Sequence, residues 1–459
     1  MTDYATFLAT KTPRQAASGI TVASGLNPKL FDWQQEIVRW ALKRGRAAIF
    51  ADCGLGKGPM ALEWARHVAA FTGRPALILA PLAVAQQFAR EGAKFGVPVT
   101  ICRSGADLRP GVNVTNYEML AHFTAGGVAG IVLDESSILK NFMGKTKRLL
   151  VEMWAATPYR LCCTATPAPN DHMEIGNHAE FLGIMPSNEM LTRWFINDTS
   201  RTGEYRLKGH AVADFWRWVS TWAVATRTPA DLGYPANRYI LPPLHHQTIT
   251  VPVDRLTNAG DQLFRTPEMS ATSLHRELRL TAPARAEVVA GLVNGSADAW
   301  LVWCNTEYEA TELTRRIPAA REVKGSQTIG QKEATLADFI DGRLRVLISK
   351  PSICGLGLNL QHCHNAVFTG LSYSYEQSYQ ATRRIYRFGQ TESVHVYEVL
   401  AETETAILST LAVKRAAHEE MMTHMIRYQQ GLAPSADLTL AAYEPRMPMA
   451  LPPWLRSVA

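Results

Sequence analysis

The strongest constraint on this chain is an alternation of short apolar runs with amphipathic stretches, which appears twice. Arg46 to Ala51 (RAAIFA), Ala76 to Ala80 (ALILA), Ile131 to Leu133 and Tyr159 to Thr164 read as buried strands. Met60 to Ala70 and Ala83 to Lys94 read as the helices between them. The pattern restarts with strands at Ala299 to Cys304, Leu344 to Ser349 and Asn365 to Thr369, and a helix at Glu307 to Arg316. Runs this short, β-branched and separated by helices, predict parallel sheets covered by helices on both faces. The expected fold is therefore α/β, in two successive units. The Trp- and Pro-rich stretch from Met185 to Asp254 reads as helical decoration followed by a linker. The predicted division is 1–254, 255–430 and a proline-rich extended tail, 431–459.

Composition excludes several classes. Of 459 residues, 47% are hydrophobic and 19% charged, so the chain has ample material for cores and global disorder is ruled out. The net charge of +6 permits a nucleic-acid partner without requiring one. Seven scattered cysteines without CxxC spacing argue against a disulfide framework and for a reducing compartment. The start, MTDYATFLATK, lacks the apolar region of a signal peptide. No apolar run approaches the ~18 residues of a membrane span. A soluble, cytoplasmic protein without membrane association is expected.

Four motifs carry chemistry. Ala51-Asp52-Cys53-Gly54-Leu55-Gly56-Lys57-Gly58 lies between a predicted strand and a predicted helix. A glycine-rich turn there lets backbone N–H groups wrap a phosphate at the positive end of the helix, with Lys57 reaching the terminal phosphates of a nucleotide. The alternative is a glycine-rich turn with an unengaged lysine. The position after the lysine usually carries Ser or Thr to ligate magnesium; here it is Gly58, followed by Pro59. Losing a polar contact worth roughly 1.5–3 kcal/mol predicts weakened metal binding, unless water substitutes. If that hydroxyl limits the rate, Gly58→Thr raises hydrolysis. Asp134-Glu135, at the end of an apolar strand, is costly unless used or solvated. Asp134 would hold Mg2+ through water, and Glu135 would orient and deprotonate an attacking water. Thr164-Ala165-Thr166-Pro167 is by itself a turn signal. Within Gln380 to Gln390, Arg384 and Arg387 share a helix face and could clamp phosphates held by the other unit; a solvated basic face is the alternative.

In order along the chain, these segments resemble the helicase superfamily two ATPases, specifically the Swi/Snf-type translocases. Phe31-Asp32-Trp33-Gln34 is similar to the adenine-recognising glutamine segment, and Gly54 to Lys57 to motif I. Ala80-Pro81-Leu82 with Phe88 and Glu91 resembles motif Ia, and Thr115-Asn116-Tyr117-Glu118 motif Ib. Asp134-Glu135 through Leu139-Lys140-Asn141 resembles motif II, and Thr164 to Pro167 with Asn170 motif III. Leu301 to Cys304, Gly355 to Leu360 and Gln380 to Gln390 resemble motifs IV, V and VI. The resemblance spans roughly Phe31 to Lys414.

The resemblance implies two tandem RecA-like domains with ATP and Mg2+ in the cleft between them. Gln34, Asp52, Cys53, Gly54, Leu55, Gly56, Lys57, Gly58 and Gly357 would bind ATP. Lys57, Asp134, Glu135 and the arginine fingers Arg384 and Arg387 would be catalytic, with Asp134 on the metal. Thr164, Ala165, Thr166 and Gln380 would couple nucleotide state to lobe closure. Pro81, Thr115, Asn116, Lys140, Asn305 and Ser349 would contact DNA, mostly at phosphates. The implied function is an ATP-dependent DNA translocase that moves along or remodels duplex DNA. The alternatives are a hydrolysis-impaired, nucleotide-gated DNA-binding module and an RNA helicase. The compact form resembles stand-alone versions carried by bacteriophages, which implies a monomer in a bacterial cytoplasm with a possible phage or nuclease partner. Gly58, and Ser136-Ser137 in place of the usual Ala-His, depart from the family pattern.

Several features are read as structural. His362-Cys363-His364 alternates faces on an extended chain and has no neighbouring Cys/His cluster, so it is not expected to bind metal. Cys162-Cys163 reads as buried packing. Arg193-Trp194-Phe195 and Phe215 to Trp222 could stack bases, but the spacing of Trp218 and Trp222 favours a buried helix stripe. Glu419 to Arg427 reads as a helix bracing the two lobes.

Overall fold

The computed structural model describes residues 18–22, 24–81, 84–124, 126–141, 143–197, 205–253, 271–355 and 358–429. The proline-rich tail, the first seventeen residues, Leu82 and Gly357 lie outside the described residues. Along the chain the strands are β1 (Arg46–Ala51), β2 (Ala76–Ala80), β3 (Val99–Ile101), β4 (Val112–Asn116), β5 (Gly130–Asp134), β6 (Tyr159–Cys163), β7 (Phe195–Asn197), β8 (Tyr205–Leu207) and β9 (Ala223–Thr226). The second half adds β10 (Leu244–Val251), β11 (Trp300–Cys304), β12 (Ala320–Val323), β13 (Val346–Ser349), β14 (Asn365–Thr369) and β15 (Val394–Ala401).

Two parallel sheets result, in the orders β3-β4-β2-β5-β6-β1-β9 and β10-β15-β14-β11-β13-β12. Each is covered on both faces, as the continuous apolar runs require. Ala48, Phe50, Leu77, Leu79, Ile131 and Leu133 enter one core of the first sheet. Their alternating neighbours Ala47, Ile49, Ala51, Ile78, Ala80 and Val132 enter the other. The second sheet divides Leu301 and Trp303 from Trp300 and Val302 in the same way. The chain is thus an α/β protein of two tandem RecA-like units.

The strand order positions the chemistry. β6 lies between β1 and β5, with Ile49 and Asp134 both in register with Cys163. The segments leaving β1, β5 and β6 therefore emerge side by side at the carboxyl edge of the sheet, where open α/β sheets bind ligands.

The stretch from Met185 to Asp254 differs from its reading as decoration and linker. It contains the helices Ser187–Trp194 and Val212–Ser220, the antiparallel hairpin β7–β8, and two strands that join the main sheets. β9 extends the first sheet beside β1, and β10 forms the edge of the second beside β15. The chain changes sheets between Thr226 and Leu244, so a division at 254 leaves β10 on the wrong side. Its sequence, LHHQTITV, is exposed at His245, His246, Gln247, Thr248 and Thr250, on both faces, and lacks the apolar continuity that marked the interior strands.

The tryptophans of this region are core. Trp218 and Trp222 are buried, and Trp194 stacks on Trp218 at 4.6 Å between ring centroids. Bases have no access to them.

The helix Ala406–Gln429 braces the lobes. Ile407 and Leu411 sit in the core of the second sheet, whereas Met421, Met422, Met425 and Ile426 sit in the core of the first. At its end Gln429 bonds both the amide and the carbonyl of Ala225, as a further strand beside β9 would.

Candidate nucleotide site between the lobes

The loop from Asp52 to Gly56 joins β1 to the helix Lys57–Thr72. It turns through two glycines in the left-handed region, Gly54 at φ +85° and Gly56 at φ +77°. A Cβ at Gly56 would collide with the Gln34 side chain. Gln34 is 5% exposed; its Nε2 donates to Leu55 O at 2.9 Å, and its Oε1 accepts from Phe31 N at 3.0 Å. Gln34 therefore holds the loop from beneath. Lys57 Nζ donates to Ala51 O at 2.8 Å and Asp52 O at 3.2 Å.

Asp134 ends β5, and Glu135 follows with φ +55°, the one non-glycine residue at positive φ among the described residues. An L-residue there costs about 1–2 kcal/mol, and such strain clusters at working sites. Glu135 Oε2 accepts from Thr164 Oγ1 and from Gln380 Nε2, each at 3.3 Å. Thr164 belongs to the first lobe and Gln380 to the second. Thr166 Oγ1 reaches Glu376 Oε1 of the second lobe at 3.4 Å, and Ala165 is buried between the two threonines. Ser136, which stands where the family pattern has Ala, bonds the buried His178 ring at 3.1 Å.

The second lobe contributes two arginines. Arg384 is 4% exposed, with Nε on Gln380 O and Nη1 on Leu358 O; Arg387 Nη1 shares Leu358 O at 3.0 Å. Both line one cleft with Cys53, Gly54, Gly56, Lys57, Gly58, Glu91, Asp134 and Glu135. The cleft encloses about 90 Å³. Burial, then the adjoining Glu135 charge, pushes the Asp134 carboxyl upward. Burial, then Arg384, pulls the Arg387 guanidinium down to about 10. Burial thus outweighs the counter-charges present, Lys57 and Arg384 on Asp134 and Glu91 on Arg387, so a bound cation would favour the carboxylates and a bound anion the guanidiniums.

Residues 284–389 match the helicase conserved C-terminal domain. The match runs from the helix Ala271–Asn294 through β14 to the segment carrying both arginines. It supports a helicase of superfamily one or two, and with it a helicase-like nucleic-acid motor of the nucleic-acid-dependent ATPase class. Helicases of this kind use ATP and usually Mg2+. Among the described residues, no helix is long and apolar enough to cross a membrane. All seven cysteines are unpaired.

Of the residues expected on DNA, Thr115 and Ser349 are 1% exposed, and Ser349 Oγ donates to Val323 O. Both lie within paired strands, so neither side chain is presented to a phosphate. Lys140 pairs with the buried carboxylate of Glu376 across the lobes. Asn305 bonds Gly370 O at 3.2 Å. Pro81 and Asn116 are half-buried at the carboxyl edge of the first sheet. The expected absence of metal at His362 to His364 rested on alternation; there Cys363 Sγ bonds Ala299 O and Asn365 O, and His362 packs on Phe339.

Sequence reasoning missed the contacts that tie the phosphate loop to the second lobe. Arg383 Nη2 meets Asp52 Oδ2 at 2.8 Å, and Tyr379 OH donates to Asp52 Oδ1. Glu376, Tyr379, Gln380 and Arg383 fall at helical spacing on the face turned to the first lobe. That spacing was the available signal. Also missed was the aromatic trio Phe31, Tyr239 and Phe388 beside the loop, with Tyr239 and Phe388 at 4.7 Å.

Proposed function

We propose that the protein is an ATP-dependent DNA motor that hydrolyses ATP between its two lobes to move along or remodel duplex DNA. One observation carries the reading. Lys57, Asp134 and Glu135 from one sheet and Arg384 and Arg387 from the other line a single cleft. That is the charge arrangement phosphoryl transfer requires, with positioned cations around the phosphates and a carboxylate for the attacking water.

Lys57 and the loop amides from Asp52 to Gly58 hold the phosphates. Glu135 accepts the proton of the attacking water, and Thr164 and Gln380 fix its carboxylate. Arg384 and Arg387 offset charge on the transferred phosphoryl group. Mg2+, held on the Asp134 side, would screen the phosphates and polarise the bond to be broken. The aromatic trio offers a stacking face for the base outside the small cleft. Because Gln380 and Thr164 converge on Glu135, lobe closure and a competent base form together.

Duplex preference, the stand-alone character, a monomeric state, a bacterial cytoplasmic setting and a phage or nuclease partner follow from the resemblance to Swi/Snf-type translocases. We assign the first motor domain to residues up to Thr226 and the second from Leu244. Contacts to DNA run through the carboxyl edges of both sheets, at Pro81, Asn116 and the loop after β13.

The deciding measurement is ATP hydrolysis with Mg2+ and no nucleic acid, single-stranded DNA, duplex DNA or RNA, with Glu135→Gln as the blank. Duplex should stimulate most, and Glu135→Gln should lose about a hundredfold or more. Turnover that matches the blank, with DNA binding intact, would replace the motor with a nucleotide-gated binding module. Stronger stimulation by RNA would make it an RNA helicase.

A further inference from the structure

Gly58 stands where a phosphate-binding loop usually presents a hydroxyl, and the space above it is not vacant. A Cβ built on Gly58 would collide with Glu91 Oε2, and its next nearest neighbours are the remaining atoms of the same carboxylate. Glu91 projects from the helix Ala85–Phe95, which packs beside the helix that begins at Lys57. Its Oε1 accepts from Gln87 Nε2 at 3.0 Å. The other charged groups that act on it are Arg387 and Lys94, and it in turn acts on Asp134. Glu91 lines the same cleft as Lys57, Asp134 and Arg387.

We propose that Glu91 supplies the oxygen that position 58 lacks. Its carboxylate, delivered from the neighbouring helix, takes the place of the loop hydroxyl on the Mg2+ side of the nucleotide. This assignment rests on the nucleotide site proposed above. Among the described residues, no three His, Cys, Asp or Glu side chains converge closely enough to cage an ion. Mg2+ does not need such a cage: it keeps several waters and binds through one or two carboxylates and the substrate phosphates. Asp134 on one side and Glu91 on the other meet that requirement. Glycine at 58 and glutamate at 91 then form a matched pair. Gly58→Thr by itself adds a hydroxyl only by displacing the carboxylate that does its work, so it gains nothing. This reverses the expectation drawn from position 58 alone.

The test is binding of the non-hydrolysable analogue AMP-PNP to the full chain, titrated against Mg2+ and repeated in EDTA. Mn2+ bound in the ternary complex is counted by electron paramagnetic resonance. Lys57→Ala serves as the blank. In Glu91→Gln, which keeps size and the Gln87 contact, the tightening of AMP-PNP by Mg2+ should fall by about tenfold, with binding in EDTA retained. Gly58→Thr should match or fall below wild type, and Gly58→Thr/Glu91→Ala should recover the Mg2+ dependence. An unchanged Mg2+ dependence in Glu91→Gln, with AMP-PNP binding still abolished by Lys57→Ala, would overturn the role of Glu91 and leave the nucleotide site standing. A gain from Gly58→Thr alone would overturn it too. AMP-PNP binding that is absent in wild type or indifferent to Lys57 would overturn both.

Discussion

At the scale of single residues, Glu135 concentrates the argument. It is the proposed base, it sits at positive φ, and it receives one hydrogen bond from each lobe. Glycine adopts that backbone without strain. Glu135→Gly should therefore stabilise the fold by about 1 kcal/mol while eliminating hydrolysis, a split read by thermal unfolding alongside turnover. A variant that is both inactive and less stable would show that the hydrogen bonds outweigh the strain. Lys57, Asp134 and Glu135 were legible in the sequence because each obeys a local rule, glycine turn or strand end; Arg384 and Arg387 were read as sharing a helix face, but they lie in the turns after the helix Tyr375–Thr382 and reach the cleft from there. Lys140, Thr115 and Ser349 were assigned by analogy, which carries no information on burial or on partners: Thr115 and Ser349 are buried, and Lys140 pairs with Glu376. Whether Lys140 meets a phosphate or Glu376 depends on a residue 236 positions away.

Among elements, the helix Tyr375–Thr382 and the turn after it act as one latch on the phosphate loop. Arg383 and Tyr379 grip Asp52, and Glu376 takes Lys140 and Thr166. The Arg383–Asp52 pair is mostly shielded, at 19% and 11% side-chain exposure, so it is screened less than a surface pair. A double-mutant cycle of Asp52→Ala and Arg383→Ala should give a coupling of about 1–2 kcal/mol in thermal unfolding; a coupling near zero would make the contact incidental. The interior strands β1, β2, β5, β6, β11, β13 and β14 were read from sequence to within two residues, since buried parallel strands are continuous apolar runs, but the interior strands β4 (VNVTN) and β15 (VHVYEVLA) were not, because polar residues interrupt their apolar runs. β9 and β10, with the edge strands β3 and β12, were not read at all. β9 is four residues within a tryptophan-rich stretch, and β10 is an edge strand exposed on both faces, so neither carries the interior signature.

For the whole molecule, burial sets a pH response. His178, against Phe50 and Ser136, is pushed down to about 4 by desolvation, and so is His418 beside Tyr375 and Tyr379. Unfolded, each titrates near 6.5. Between pH 6.5 and 4 the unfolded chain takes up protons that the folded chain refuses, so these groups make stability fall as pH falls. Burial raises Glu174 to about 7, which acts in the opposite sense above pH 4.5. The histidine contribution is isolated by comparing wild type with His178→Gln: the melting-point difference should shift in favour of the variant as pH drops from 6.5 to 4. A difference independent of pH would mean that His178 titrates normally.

The bracing helix Ala406–Gln429 has a footing in each lobe, beside β9 at one end and near the β10 edge at the other. Two bodies pinned along one flank open like the covers of a book. The spine keeps its length while the fore-edges, β3 on one cover and β12 on the other, sweep the widest arc. Spin-label distances should change more with AMP-PNP between β3 and β12 than between β9 and β10; equal changes would mean that the lobes slide instead of turning. A track gripped near the fore-edges would be drawn by the longest stroke this frame allows, whereas one held near the spine would be gripped harder and moved less.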